Sequence, residues 1–373
     1  MFIPPYVLAA VLAWFVTYWT TPTARWVARR VGAVDFPGGR RINRRPLPRL
    51  GGIALFAGIL GAALLTLPIR GDIAVVREPR YLVLAVPYAA IAPEYVGVLL
   101  GAVAISLLGL YDDVRPLSGA VKFPLIYLAA AIPTLFGVSA SFVTNPISGQ
   151  LLPLGVYGQI FTVLWIGSVA IAMNLIDGVD GLAAGIAAIV SATLFAATLA
   201  RPNLPMMILC AAVVGSAVGF LRYNFNPARI IMGDGGAMLL GYLLGAMSVL
   251  GVFKTITALS LAVPLLAMGV PIFDTAFAIL RRARRGLPIF HPDRGHLHHR
   301  LLDRGLTQRQ TVFLLYGATG LLGTLALIVA DSVDRHISVG LAVILTVTLL
   351  VFARRLGLMA PARGPLAGGP PSP

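Results

Sequence analysis

Asn174-Leu-Ile-Asp177-Gly-Val-Asp180-Gly-Leu-Ala-Ala-Gly185 interrupts two apolar runs, at 157 to 173 and at 182 to 200. Each run approaches the roughly 20 apolar residues that a helix needs to cross a hydrocarbon core. The pair therefore reads as two membrane helices joined at the water boundary. An acid that need not stand at such a boundary is a functional candidate. An ordinary polar turn is the alternative for Asp177 and Asp180.

Applied outward, the same length criterion gives eleven candidate spans. They cover roughly 4 to 24, 51 to 68, 94 to 111, 119 to 137, 157 to 173, 182 to 200, 204 to 221, 236 to 252, 257 to 280, 311 to 330 and 336 to 353. The stretch 81 to 92 is short and broken by Pro87, with Pro93 just beyond it, and reads as an interfacial or re-entrant piece. With 58% hydrophobic and 12% charged residues in 373, and a mean hydropathy of +0.88, the chain is a polytopic all-α membrane protein by composition. The longest polar intervals, 25 to 49 and 281 to 310, are loop-sized, so residues 1 to 355 read as one membrane domain. The Gly- and Pro-rich tail at 356 to 373 reads as disordered. No basic residue precedes the first apolar run, which argues against a removable signal peptide.

The net charge of +15 is explained by topology rather than by nucleic acid. With the N-terminus outside, the cytoplasmic segments carry 23 Lys and Arg and the opposite face carries 6, as the positive-inside rule requires. The C-terminus is then cytoplasmic. The single Cys210 lies in an apolar run and forms no intrachain disulfide.

That topology gathers the acids. Asp112 and Asp113 end the third span, Asp177 and Asp180 follow the fifth, Asp234 lies between the seventh and eighth, and Asp274 lies late in the ninth. All fall on the cytoplasmic face. Clustered carboxylates repel unless a cation joins them, and donors that are all oxygen favour magnesium, or manganese, over zinc. Magnesium typically bridges to phosphate, so a phosphate-bearing substrate is expected. Zinc on His296, His298 and His299 is the weaker reading, because the spacing lacks a helical i, i+4 pair or a Cys partner. Their neighbours Arg294, Arg300 and Arg304 suit them to a diphosphate, with a solvated basic loop as the alternative. Arg49 stands apart from the other basic residues of its loop because Pro48 and Gly51-Gly52 pin it; the rest suit anionic headgroups. Lys122, early in the fourth span, is expected to face the acids. Glycines beside the acids suit either close approach of a phosphate or close helix packing. A secondary transporter is the rival class, but it calls for acids near mid-bilayer and a repeat, and neither pattern is present.

Six stretches in order carry a resemblance. They are Pro-Arg-Leu-Gly-Gly (48 to 52), Gly-Leu-Tyr-Asp-Asp (109 to 113), Asn174 to Gly185, Met-Gly-Asp (232 to 234), Pro-Ile-Phe-Asp-Thr (271 to 275) and Asp-Arg-Gly-His-Leu-His-His-Arg (293 to 300). Together they resemble the polyprenyl-phosphate N-acetylhexosamine-1-phosphate transferases. The His-Leu-His-His segment is similar to the branch that uses UDP-N-acetylglucosamine rather than the one that transfers phospho-MurNAc-pentapeptide. Asn43, Ile126 and Ala237 depart from the residues common in that family, which bears on sugar or lipid detail.

The resemblance implies transfer of N-acetylhexosamine 1-phosphate from a UDP-sugar to undecaprenyl or another polyprenyl phosphate, with UMP released. This is a first membrane step of cell-envelope polysaccharide synthesis at a bacterial cytoplasmic membrane, and a homodimer is a further family expectation. It makes Asp234 the principal magnesium ligand and Asn174 a second. It gives the diphosphate to Arg294, His296, His298 and His299, and the uridine or sugar to Asp177 and Asp180. Asp112 becomes the base toward the lipid phosphate, with Asp113 beside it and Lys122 balancing charge. Direct attack is favoured over an aspartyl-phosphate intermediate.

Overall fold

The computed structural model describes residues 3–37, 45–66, 92–144, 151–199, 202–252, 258–287 and 295–331. The described residues are mostly helical. The helices are α1 (Pro5–Arg30), α2 (Gly51–Thr66), α3 (Pro93–Val114), α4 (Gly119–Leu135), α5 (Val156–Ile176) and α6 (Leu182–Ala197). They continue as α7 (Leu204–Asn224), α8 (Gly233–Val252), α9 (Ala258–Ala267), α10 (Gly269–Arg284), α11 (Leu297–Asp303) and α12 (Gln308–Asp331). Two short antiparallel pairs complete the picture: β1 (Val34–Asp35) with β2 (Leu47–Pro48), and β3 (Phe142–Thr144) with β4 (Leu151–Pro153). Helices dominate because hydrocarbon offers no partner to backbone N–H and C=O groups, so each segment must satisfy its own.

Six of these helices are long and apolar enough to cross a membrane: α1, α3, α5, α7, α8 and α12. Helices α2, α4 and α6 are apolar but shorter. The protein is thus an all-α, multi-span membrane protein. Pro5, Pro93 and Pro205 stand in the first turns of α1, α3 and α7, where a missing N–H leaves no hydrogen bond unmade. The predicted ninth span, 257 to 280, is two helices that meet at Met268. Pro271 has no N–H to give the carbonyl of Ala267, whereas Met268 and Ile272 keep their bonds to Pro264 and Met268. The predicted span 336 to 353, the piece 81 to 92 except for Ala92, the tail 356 to 373 and Arg294 lie outside the described residues.

Helix α8 is the centre of the bundle and is almost wholly buried. Its sequence is apolar all round, as a helix enclosed by others must be. It packs against α5, α3, α2 and α6, while α1 lies on α7 and α2, and α12 on α6 and α9. The closest approaches use small residues. A Cβ on Gly52 would strike the backbone of Gly236, and one on Gly109 would strike that of Gly235. Most glycines in the motifs at 51 to 52, 109 and 235 to 236 therefore bring α2, α3 and α8 together. Thr17 and Ser216 join α1 to α7 by a 2.7 Å hydroxyl pair.

The end of α1, the start of α2, the end of α3, the start of α4, the end of α5, the starts of α6 and α8, and the start of α12 share one end of the bundle, tied there by the bonds described below.

Candidate active site

The N-terminus of α8 is held from outside its own sequence. Asp113, in the last turn of α3, accepts the N–H of Asp234 at Oδ1 (2.9 Å) and that of Gly235 at Oδ2 (3.1 Å). These are two of the first N–H groups of a helix, which have no partner within it. Arg49 completes the carboxylate, donating through Nε (3.1 Å) and Nη2 (2.9 Å) to Oδ1. The Asp113 side chain is only 2% exposed. Burial works against the Arg49 charge, but Asp113 outweighs it and raises the guanidinium pKa further. The segment carrying Arg49 is itself fixed. Ile231 donates to the Pro48 carbonyl (2.9 Å), and Gly51 and Gly52 donate to those of Ile231 (3.1 Å) and Met232 (2.8 Å). Gly233, at φ 71°, is the one residue type that fits here, since a Cβ would meet the Arg49 carbonyl and the Asp113 carboxylate. This capping carries helix α8 back to Gly233, so Asp234 stands in its first turn rather than in a loop before a span at 236.

Lys122, in the first turn of α4, bridges the remaining acids. Its ammonium lies 2.8 Å from Asp112 Oδ2 and also pairs with Asp234 Oδ2. Asp112 Oδ1 accepts the Leu117 N–H at 2.6 Å, which ties the α3–α4 turn. Neighbours in sequence, Asp112 and Asp113 thus serve different partners. Asp234, 31% exposed against 5% for Asp112, is the most accessible of the three.

The α5–α6 loop contributes the opposite condition. Asp177, just past the end of α5, is half-buried, and among the described residues no donor or cation meets it. Burial first, then the charges of Asp234, Asp113 and Asp180, push its carboxyl pKa well above the usual range. One turn earlier, the buried Nδ2 of Asn174 has no hydrogen-bond partner among the described residues. Asp180 is differently placed. Its Oδ2 accepts Asn226 Nδ2 and the Ala228 N–H, both at 3.0 Å, and so binds the α7–α8 loop. Asn224 reinforces that junction, accepting the Gly181 N–H (3.1 Å) and donating to the Ile230 carbonyl (2.9 Å). Asn226 reaches Gln308 Oε1 at 2.5 Å, and the Tyr316 hydroxyl donates to the Gly181 carbonyl at 2.6 Å, which fastens α12. Asn224, Asn226 and Tyr316 escaped the sequence reading. The signal that could have found the first two is Asn-Phe-Asn-Pro at 224 to 227, a carboxamide pair closing an apolar run.

The histidine segment closes the third side. His296 pairs through Nδ1 with Asp274 Oδ2 of α10 at 2.8 Å. His298 is buried against Gly178, next to Asp177. Burial, helped by the nearby His299, pulls the His298 pKa down to about 3, so this ring is neutral. The His296 and His298 rings stack with centroids 5.8 Å apart, and His299 lies 4.3 Å beyond His298.

Among the described residues no three His, Cys, Asp or Glu side chains converge as a ready metal cage. The zinc reading therefore gains nothing from the histidines. The donors that fit a hard cation are different ones: accessible Asp234, uncompensated Asp177 and the unpartnered carboxamide of Asn174, whose oxygen takes the place of Nδ2 on a half-turn.

The comparisons with known proteins bear on the same residues. The family model for Glycosyl transferase family 4 matches residues 95–252. A Bacillus subtilis (strain 168) protein named probable undecaprenyl-phosphate N-acetylglucosaminyl 1-phosphate transferase is 36% identical over 340 residues, 91% of this chain and 88% of that protein. The chain belongs to glycosyl transferase family 4. A Mycolicibacterium smegmatis relative in the family, named decaprenyl-phosphate N-acetylglucosaminephosphotransferase, is 32% identical over 93% of this chain and 89% of its own length. An Escherichia coli (strain K12) protein named undecaprenyl-phosphate alpha-N-acetylglucosaminyl 1-phosphate transferase is 26% identical over 82% and 78%. The stretch matched by the family 4 model runs from α3 to α8. It contains Asp112, Asp113, Lys122, Asn174, Asp177, Asp180 and Asp234, while Arg49 and the histidines lie on either side of it.

Proposed function

We propose that this chain transfers N-acetylglucosamine 1-phosphate from UDP-N-acetylglucosamine to a polyprenyl phosphate, releasing UMP at the cytoplasmic face of a bacterial cytoplasmic membrane. The observation that carries the reading is one bundle end where Asp112, Asp113 and Asp234 are organised by Arg49 and Lys122, opposite an Asp177 that meets no donor or cation among the described residues. The relatives' names supply the reaction. The excess of Lys and Arg in segments joining helices at this end supports the cytoplasmic side, with eleven spans and the N-terminus outside.

In the reaction an oxygen of the polyprenyl phosphate forms a bond to the sugar-linked phosphorus. The bond from that phosphorus to the bridging oxygen breaks, and UMP leaves with the electron pair. Such a transfer needs alignment and charge neutralisation more than covalent help. A phosphate monoester has its second pKa near about 6, so the nucleophile is already ionised at neutral pH. Asp112, tied to the Leu117 N–H and to Lys122, is therefore assigned to positioning Lys122 and the acceptor rather than to removing a proton. Asp113 and Arg49 aim Asp234 by fixing the first turn of α8. His296 and His299, with Arg294, receive the donor's diphosphate, and Asp177 and Asp180 flank the nucleotide-sugar. Asp234 and the Asn174 oxygen, with Asp177 beside them, would hold magnesium, which would neutralise charge on the diphosphate.

Purified protein given undecaprenyl phosphate and a panel of UDP-sugars tests class and donor together. The expected result is magnesium-dependent UMP from UDP-N-acetylglucosamine. UMP from UDP-MurNAc-pentapeptide alone transfers the chain to the other branch, and no UMP from any donor rejects the reading. For topology, Cys210 is the only cysteine and is buried, so Arg304→Cys gives a single accessible thiol. Its labelling only after the membrane is opened is the expected outcome.

A further inference from the structure

One acid at this bundle end has no part in the scheme above. Asp274, in the second turn of α10, has a side chain 1% exposed. Its Oδ1 accepts the Leu297 N–H at 2.7 Å, and its Oδ2 lies 2.8 Å from His296 Nδ1. A single carboxylate thus grips the backbone where α11 begins and the ring of the residue just before it. With Nδ1 engaged, Nε2 is the only nitrogen His296 can offer a ligand. His298 is the contrast. Among the described residues its Nδ1 is buried without a hydrogen-bond partner and no carboxylate bonds its ring, while its Nε2 lies against Gly178.

We propose that Asp274 is a positioning residue that acts through His296, presenting the imidazole Nε2–H to a diphosphate oxygen of the nucleotide-sugar. The inference rests on the donor reading given above. An anionic acceptor at Nε2 needs an N–H there, and the carboxylate at Nδ1 behind the ring fixes the plane in which that N–H is presented. The ring then lies between two anionic groups, Asp274 on one side and the diphosphate on the other. The ordinary alternative is that Asp274 only caps α11 at Leu297. Asparagine separates the two roles, since its oxygen still accepts the Leu297 N–H but it carries no charge.

The test is the steady-state kinetics of UMP release for the wild type, Asp274→Asn, His296→Ala and the double variant. Asp274→Asn is expected to raise the KM for the UDP-sugar about tenfold, with the KM for polyprenyl phosphate unchanged and kcat lowered less than about threefold. In the His296→Ala background the same substitution is expected to change the donor KM by less than about twofold, because the group it positions is gone. An unchanged donor KM in Asp274→Asn, or an equal loss in both backgrounds, overturns the inference. Should Asp274→Asn fail to fold, the ring side tests the same point. The Gln nitrogen stands near Nε2 and the Asn nitrogen near Nδ1, so His296→Gln is expected to keep a lower donor KM than His296→Asn. The reverse order overturns it. A wild type that releases no UMP from any UDP-sugar rejects the donor reading itself, and this inference with it; an active wild type with additive losses rejects this inference alone.

Discussion

On the side of the site formed by α3, α4 and α8, Asp113 meets Arg49 and two backbone N–H groups, and Lys122 joins Asp112 to Asp234. On the side formed by the end of α5, Asp177 faces only other acids and Asn174 Nδ2 meets no partner among the described residues. The first wall is satisfied by the chain itself, so its geometry is settled as the protein folds. The second finds no such partner among the described residues, which leaves it open to a ligand. Chemistry that depends on alignment gains from this division, because the fixed wall sets positions and the open wall supplies the affinity for cation and phosphate.

Asp234 belongs to the fixed wall but faces the open one, so its loss is expected to be the largest. Asp234→Ala should lower UMP release on the order of 10³-fold while the protein stays folded, as chromatography in detergent and a thermal melt will show. Near-normal turnover would remove the distinction between the walls. Asp113→Ala should cost roughly 100-fold in turnover, since Asp234 loses its alignment without being changed. It should also lower the melting temperature, because it strands a guanidinium and two N–H groups, an effect of about 3–5 kcal/mol where a partner is removed from a buried pair. A variant with normal stability and low activity would instead place Asp113 among the groups that touch substrate.

Asp177 should respond in the opposite sense. Relief of its repulsion by Asp177→Asn is expected to raise the melting temperature of metal-free protein by about 2 °C, and to shrink the stabilisation that added magnesium gives, while turnover falls. A lower melting temperature would mean that Asp177 has a stabilising partner and that the open wall is closed after all.

The division was only partly legible in the sequence. Apolar run length located most of the helices, because hydrocarbon imposes it segment by segment. The start of α8 was misplaced because its cap, Asp113, lies 121 residues away. Asp274 was recognisable as an acid on the right face, yet its bond to His296, 22 residues distant, has no local signature. The break at Met268 was missed, although Pro271, which cannot serve the carbonyl four residues back, was a local signal for it. The glycines allowed two explanations, and only the contacts of Gly52 and Gly109 with the first turn of α8 decide for helix packing. Partners across loops are what a linear pattern cannot show.

The smallest effect concerns His298, whose ring leans on Gly178 and so belongs to the open wall. If it were charged it would supply the cation that Asp177 lacks; burial instead holds its pKa near about 3, against about 6.5 for an unperturbed imidazole. The consequence has a definite sign. Below pH 6.5 the unfolded chain takes up a proton at His298 that the folded protein does not, so the stability this residue contributes is present above about 6.5 and is lost as pH falls toward about 3. The melting temperature of the wild type relative to His298→Gln, followed from pH 7.5 to 5 in metal-free detergent buffer, should therefore decline as the solution is acidified. A difference that stays level would mean that the folded protein protonates His298 as readily as the unfolded chain, which would give the open wall a cation of its own and remove the electrostatic reason for it to take one from solution.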